Sequence, residues 1–164
     1  MKKFTPLVIG LITGAVMLTA TLWLYYSNKP SDSSAQYVVF IIYAGGIVWT
    51  LLAYSNSPEY TGKFGNSFGR GFRCFIVVTL VMVTFTGIFT SAHPEFAEQD
   101  AKNYKEYLDK EEKNRNEAEK AEMVTSLKKH YTLRLVYSAV FGYLITGTIF
   151  TAAGAGLLML RRKN

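Results

Sequence analysis

Residues 7–26, 37–54, 74–92 and 135–160 contain no Asp, Glu, Lys, Arg or His. Each run is apolar all round a helix, and each is near or above the about 20 residues that carry an α-helix across roughly 30 Å of hydrocarbon. A soluble domain would spread its apolar residues at helical or strand period instead. Lipid offers no partner for an open backbone, so such runs must be helices that bond to themselves. The pattern predicts an all-α polytopic membrane protein. Residues 1–164 form one membrane domain, with four transmembrane helices and the lipid bilayer as first partner.

The charge supports this assignment. A net charge of +6 would raise the question of nucleic acid in a soluble domain, but most bases here flank the apolar runs, so no nucleic-acid partner is expected. Four spans put Lys2 and Lys3, then Lys63, Arg70 and Arg73, then Arg161, Arg162 and Lys163 on one side. The positive-inside rule makes that side cytoplasmic, with both termini there and the long third connection opposite. The bases of that connection argue for the reverse topology, but its acids offset them.

The first run closes on Trp23, Tyr25 and Tyr26, and the second is bounded by Tyr37 and Tyr54 with Trp49 near its end; such rings suit a membrane–water interface. The aromatic close and the lack of a small-x-small site argue against a cleaved signal peptide. Between these runs, Asn28, Lys29, Pro30 and Asp32 reverse the chain. Gly10 with Gly14, the Gly45-Gly46 pair, and Gly147 and Gly154 in the small-residue surface of the last run are expected at close helix–helix contacts.

Thr61-Gly62-Lys63-Phe64-Gly65-Asn66-Ser67-Phe68-Gly69-Arg70-Gly71-Phe72-Arg73 leads into the third run. Phe64, Phe68 and Phe72 share a helix face, while Lys63, Arg70 and Arg73 reach the headgroup layer, so 61–73 reads as an interfacial segment with Thr61 as its N-cap. Its glycines match neither GxxxxGK[ST] nor GxGxxG, and no strand precedes them, so a phosphate-loop reading fails.

From Glu95 to Phe141 there is neither glycine nor proline. The i,i+4 pairs Glu98–Lys102, Glu106–Lys110, Asp109–Lys113 and Glu111–Arg115 favour helix. Two arms, 94–113 and 117–134, are expected to form an extramembrane antiparallel hairpin reversed at Asn114-Arg115-Asn116. Its seams are Ala97, Ala101, Tyr104 and Leu108 on the first arm, and Ala118, Ala121, Val124, Leu127 and Tyr131 on the second. The alternative is a solvated, partly frayed loop, because alanine buries little area.

Nothing recognisable as catalytic machinery stands out. One cysteine, Cys74, excludes an intramolecular disulfide and a CxxC framework. His93, His130 and nearby Glu95 lack ligand spacing and read as interfacial residues, and no Ser/His/Asp set is present. No enzyme activity, cofactor or metal is expected.

The 61–72 stretch entering a span, His93-Pro94-Glu95-Phe96 at the far end of that span, the charged excursion and the basic tail resemble a known family. It is the bacterial four-span membrane proteins catalogued as domain of unknown function 4199. The segment from Thr61 to Phe68 is similar to that family's Thr-Phe-Gly-x-Ala-Phe opening of the third span. Ser67 stands where Ala is common, and the excursion is more charged. The resemblance implies a bacterial inner-membrane protein with a periplasmic hairpin on the topology above, and it supplies no catalytic residue. The expectation is a structural or accessory membrane protein that engages a protein partner or itself through the hairpin or the small-residue faces. The alternative is a transporter or channel for a solute that needs no intramembrane charge.

Overall fold

A computed structural model describes residues 5–27, 33–111 and 116–161. Among these the chain is helical: α1 (Pro6–Tyr26), α2 (Ser33–Ser55), α3 (Phe64–Ala92), α4 (Glu95–Glu111), α5 (Glu117–Lys129) and α6 (Tyr131–Arg161). Four segments are long and apolar enough to cross a membrane: Pro6–Tyr26, Tyr37–Ser55, Phe64–Ala92 and Tyr131–Arg161. Lys2, Lys3, Asn28 to Asp32, Asn114, Arg115, Arg162 and Lys163 lie outside the described residues.

Local chemistry sets several helix ends. Thr5 caps α1, its Oγ1 accepting from the Val8 N–H at 3.3 Å, with Pro6 in the first turn where its missing N–H costs nothing. Asn116 caps α5 through its Oδ1, which accepts from the Ala118 N–H at 3.2 Å.

Two boundaries differ from expectation. The interfacial segment expected over 61–73 and the third apolar run share one helix: α3 starts at Phe64 and runs unbroken through Arg73 and Cys74. Thr61 lies before the helix, so it does not cap it. Its Oγ1 instead accepts from the Asn66 carboxamide at 2.8 Å, and Gly62 supplies the turn with a φ of 68° that a Cβ would strain. The second arm is also broken, because His130 leaves the helix at φ −104° and ψ 12°, and α6 restarts at Tyr131.

The chain divides into two compact units, residues 1–83 with 140–164, and residues 84–139, with α3 and α6 contributing to both. The first is a four-helix bundle whose contacts fix its directions. A Cβ on Gly10 would meet the Cys74 carbonyl oxygen at 2.8 Å and Val77, and one on Gly14 would meet Val81, so α1 and α3 run parallel. Leu51 faces Gly154 and Tyr43 faces Gly147, so α2 and α6 also run parallel to each other. Gly46 against Thr13 joins the two pairs, and Gly71 against Thr151 joins them again. Met17, Tyr43, Ile47, Leu51, Phe75, Val78 and Met82 fill the centre. Lipid is as apolar as these side chains, so close packing and interhelical hydrogen bonds hold the bundle. One such bond runs from the Tyr43 hydroxyl to the Tyr143 carbonyl at 3.0 Å.

In the second unit α4 and α5 pair antiparallel, as ion pairs from Lys128 to Glu98 and from Lys120 to Asp109 show. Ala97, Ala101 and Leu108 are buried as expected, whereas Ala118 and Ala121 are exposed. Lys120 is buried instead: its side chain, 6% exposed, covers the seam with its stem while its ammonium meets Asp109 at 3.3 Å and Glu117 at 3.1 Å. Leu108 is fully buried. Leu108→Ala is therefore expected to loosen the α4–α5 pair by about 2–5 kcal/mol. Accelerated amide exchange confined to residues 97–129 would register it, and unchanged protection there would contradict this packing.

The hairpin also carries a pH dependence. Lys128 beside Glu98 holds that carboxyl below its usual range, and Glu95 is lowered first by its own backbone N–H and then by His93. Carboxyls depressed in the fold stabilise it above their unfolded pKa, and that stabilisation is lost as pH falls through the folded value. Hairpin protection should therefore drop as pH falls below about 4; Glu98→Gln should flatten the Glu98 share of that drop.

Candidate functional site: a guanidinium clasp at the start of α3

The densest set of polar contacts in the four-helix unit lies where the α2–α3 loop meets the first turns of α3. Arg70 is on the second turn of that helix. Its Nη2 donates to the Glu59 carboxylate at 2.6 Å, and its guanidinium lies over the Tyr54 ring, 5.0 Å from the centroid. Such a bond between charged groups, backed by an aromatic face, fixes a side chain that otherwise has much rotamer freedom. The Tyr54 hydroxyl is in turn 3.3 Å from the Glu59 carbonyl, to which it donates, and 3.4 Å from Thr61 Oγ1. Tyr60 packs edge-on against Tyr54, and its hydroxyl donates to the Leu158 carbonyl of α6 at 3.1 Å.

This clasp separates two recesses. One, of about 250 Å³, is bounded by Thr5, Pro6, Thr50, Ser57, Glu59 and Arg70. The other, of about 380 Å³, is bounded by Tyr54, Glu59, Asn66, Arg70 and Arg73 over a floor of Gly65 and Gly69. The chemistry these groups offer is anion and hydrogen-bond recognition. Among the described residues no three His, Cys, Asp or Glu side chains come together as a metal site.

The residues expected at the interface fall on two neighbouring strips of α3. Phe64, Phe68 and Phe72 form a ladder with centroids 5.8 and 6.3 Å apart, and Phe64 and Phe72 are 42% and 44% exposed. Arg70 and Arg73 line the groove, and Lys63 is exposed just before the helix. Of the packing glycines, Gly10, Gly14, Gly46, Gly147 and Gly154 each sit against a neighbouring helix. Gly45 does not: a Cβ there would meet nothing within 4 Å, because it points out of the bundle while Gly46 points in.

The family described as a protein of unknown function (DUF4199) matches residues 8–159. The chain belongs to the DUF4199 family. That match takes in the four bundle helices except the first two residues of α1 and the last two of α6, together with the hairpin and every residue of the clasp. No curated protein and no solved structure matches the chain.

Within this DUF4199 member, several site residues escape sequence reasoning. Glu59 is an isolated acid in a polar loop, and its partner is 11 residues away across the Gly62 turn, beyond any helical spacing. Tyr43 is a phenol in mid-span, a signal that was available, since a hydroxyl in lipid needs an acceptor. Gly71 lies in the same glycine-rich stretch as Gly69, but it is buried against Thr151 whereas Gly69 faces open space. Cys74 is fully buried, its Sγ 3.8 Å from the Gly46 carbonyl that also accepts from Thr50 Oγ1 at 3.0 Å.

Proposed function

We propose that this DUF4199 chain is a structural or accessory component of the bacterial cytoplasmic membrane, without enzymatic activity, that acts by engaging a protein partner or a second copy of itself. The observation that supports this reading is the closed centre of the bundle. Met17, Tyr43, Ile47, Phe75, Val78 and Met82, from α1, α2 and α3, pack together with at most 3% of their surface exposed. Interdigitated side chains of this kind leave no room for a hydrated solute at that level. Transport would need the Tyr43–Phe75 layer to part, and with it the Tyr43–Tyr143 hydrogen bond.

The native protein, extracted in mild detergent, should come down with a stoichiometric partner or as a homo-oligomer. A solitary monomer, or solute flux through liposomes carrying it, would overturn the reading. In this proposal the α2–α3 loop and both chain ends face the cytoplasm and the α4–α5 hairpin faces the periplasm, in line with the bases around α3 and at the end of α6. Single cysteines placed at Asn56 and Glu119 in a Cys74→Ala background test it. An impermeant maleimide added to spheroplasts should label only the second.

A further inference from the structure

The recess over Gly65 and Gly69 has features that the clasp alone does not require. Gly69 and Arg70 lie three and four residues after Asn66, and Arg73 lies four and three residues after them, so the four form one stripe of α3. Arg70 is already positioned by Glu59 and Tyr54, and a pre-set guanidinium loses little freedom when it takes up an anion. Arg73, one turn on, is exposed and is matched by no carboxylate among the described residues. Between them the floor is bare backbone, since Cβ atoms on Gly65 and Gly69 would find nothing within 4 Å. Asn66 closes one end, its carboxamide held by Thr61.

The charges narrow the ligand. Two guanidinium groups and one carboxylate bound the groove and leave it with a single net positive charge. That matches one phosphodiester better than a phosphomonoester or a polyphosphate, and the planar guanidinium fork suits its paired oxygens. The setting narrows it further. Arg73 immediately precedes Cys74, where the uncharged run begins, and the Phe64–Phe68–Phe72 ladder, exposed at Phe64 and Phe72 and half-buried at Phe68, lies on the adjacent strip of the same helix. A ligand that carries both an anionic head and an acyl chain can use both strips, whereas a free anion can use one.

We propose that Arg73, Arg70 and Asn66 form a binding site for the phosphodiester headgroup of an anionic phospholipid, whose acyl chain lies along the phenylalanine ladder. The site stands on membrane embedding alone and does not depend on the accessory role proposed above.

The test uses the full chain in neutral detergent micelles. Thermal unfolding is followed while phosphatidylglycerol, phosphatidylcholine or inorganic phosphate is added. A lipid that binds only the folded state raises the midpoint with its concentration. Phosphatidylglycerol is expected to raise it, phosphatidylcholine to do so much less, and inorganic phosphate not at all. Arg73→Gln removes one charged hydrogen-bonding partner and should weaken the apparent phosphatidylglycerol affinity about tenfold. Gly69→Leu fills the floor without altering charge and should weaken it similarly. Neither position carries packing that the bundle needs, so in the absence of lipid Arg73→Gln should unfold like the parent and Gly69→Leu no more easily than the parent, each variant's lipid effect being read as the shift from its own lipid-free midpoint. Equal shifts from the two lipids, a shift from inorganic phosphate alone, or variants that keep the full phosphatidylglycerol effect would each overturn the proposal.

Discussion

Gly147→Val is expected to destabilise the bundle by about 3 kcal/mol, the upper end of what overpacking a filled core costs. A Cβ at this position would fall 2.7 and 2.8 Å from ring atoms of Phe75 and closer still to the Tyr43 hydroxyl. Neither neighbour gives way easily. Phe75 is 1% exposed and Tyr43 fully buried, and the Tyr43 phenol is tied to the Tyr143 carbonyl. The about 1 kcal/mol that a helix gains when glycine is replaced by alanine is too small to offset the collision, and branched valine gains less. Unfolding by SDS, followed by circular dichroism in mixed micelles, measures the loss. Phe75→Leu in the same chain should recover part of it, since it removes the ring that the new methyls strike. A valine variant as stable as the parent would show that α6 does not pack here.

The adjacent glycines of α2 should respond with opposite signs. At Gly46 a Cβ would meet the Thr13 Oγ1, its Cγ2 at 2.5 Å and its Cβ at 2.9 Å, and the second helical rotamer open to threonine would leave that Cβ where it is. Gly46→Val should therefore push α1 from α2 and cost about 2–3 kcal/mol. Gly45→Ala meets open space and should be neutral or stabilise by up to about 1 kcal/mol through backbone entropy. Thermal midpoints of the two variants and the parent decide it. Similar values for both would mean that α2 is rotated relative to the geometry described here.

These cases show which features of the fold can be read from sequence. The four spans are legible because a charge in hydrocarbon is costly, so its absence over 18 or more residues marks each run without any knowledge of neighbours. Helix rotation is not legible in the same way. In α2 the sequence offers two equivalent glycines, and only the position of Thr13 separates them. The 61–73 stretch reads as an interfacial lead-in capped by Thr61 because it is basic, aromatic and rich in glycine. In the fold Gly71 admits Thr151 and Ser67 is buried, so part of that stretch belongs to the bundle and α3 simply continues. The seam expected on the second arm of the hairpin fails for a related reason. Counting alanines assumes that apolar positions mark the seam, whereas a lysine with two carboxylate partners can cover it better, as Lys120 does between Asp109 and Glu117. The basic residues of the candidate site stand out in the sequence by their charge beside an apolar run, but the Glu59–Arg70–Tyr54 arrangement depends on a loop path set by a left-handed glycine.

The Tyr60–Leu158 hydrogen bond bears on how the protein is made. Its two residues are separated by 98 positions, which at about 5–20 residues per second means roughly 5–20 s of ribosome time between them. For the part of that interval between Ala92 and Tyr131 the nascent chain holds α1, α2 and α3 but lacks α6, and the grooves at Gly71 and beside Tyr43 have no occupant from their own polypeptide. Insertion of the last helix thus completes the lateral wall and fastens the α2–α3 loop in one event. Premature termination before Gly147 would leave an inserted remnant with an open flank, a natural substrate for membrane quality-control proteases.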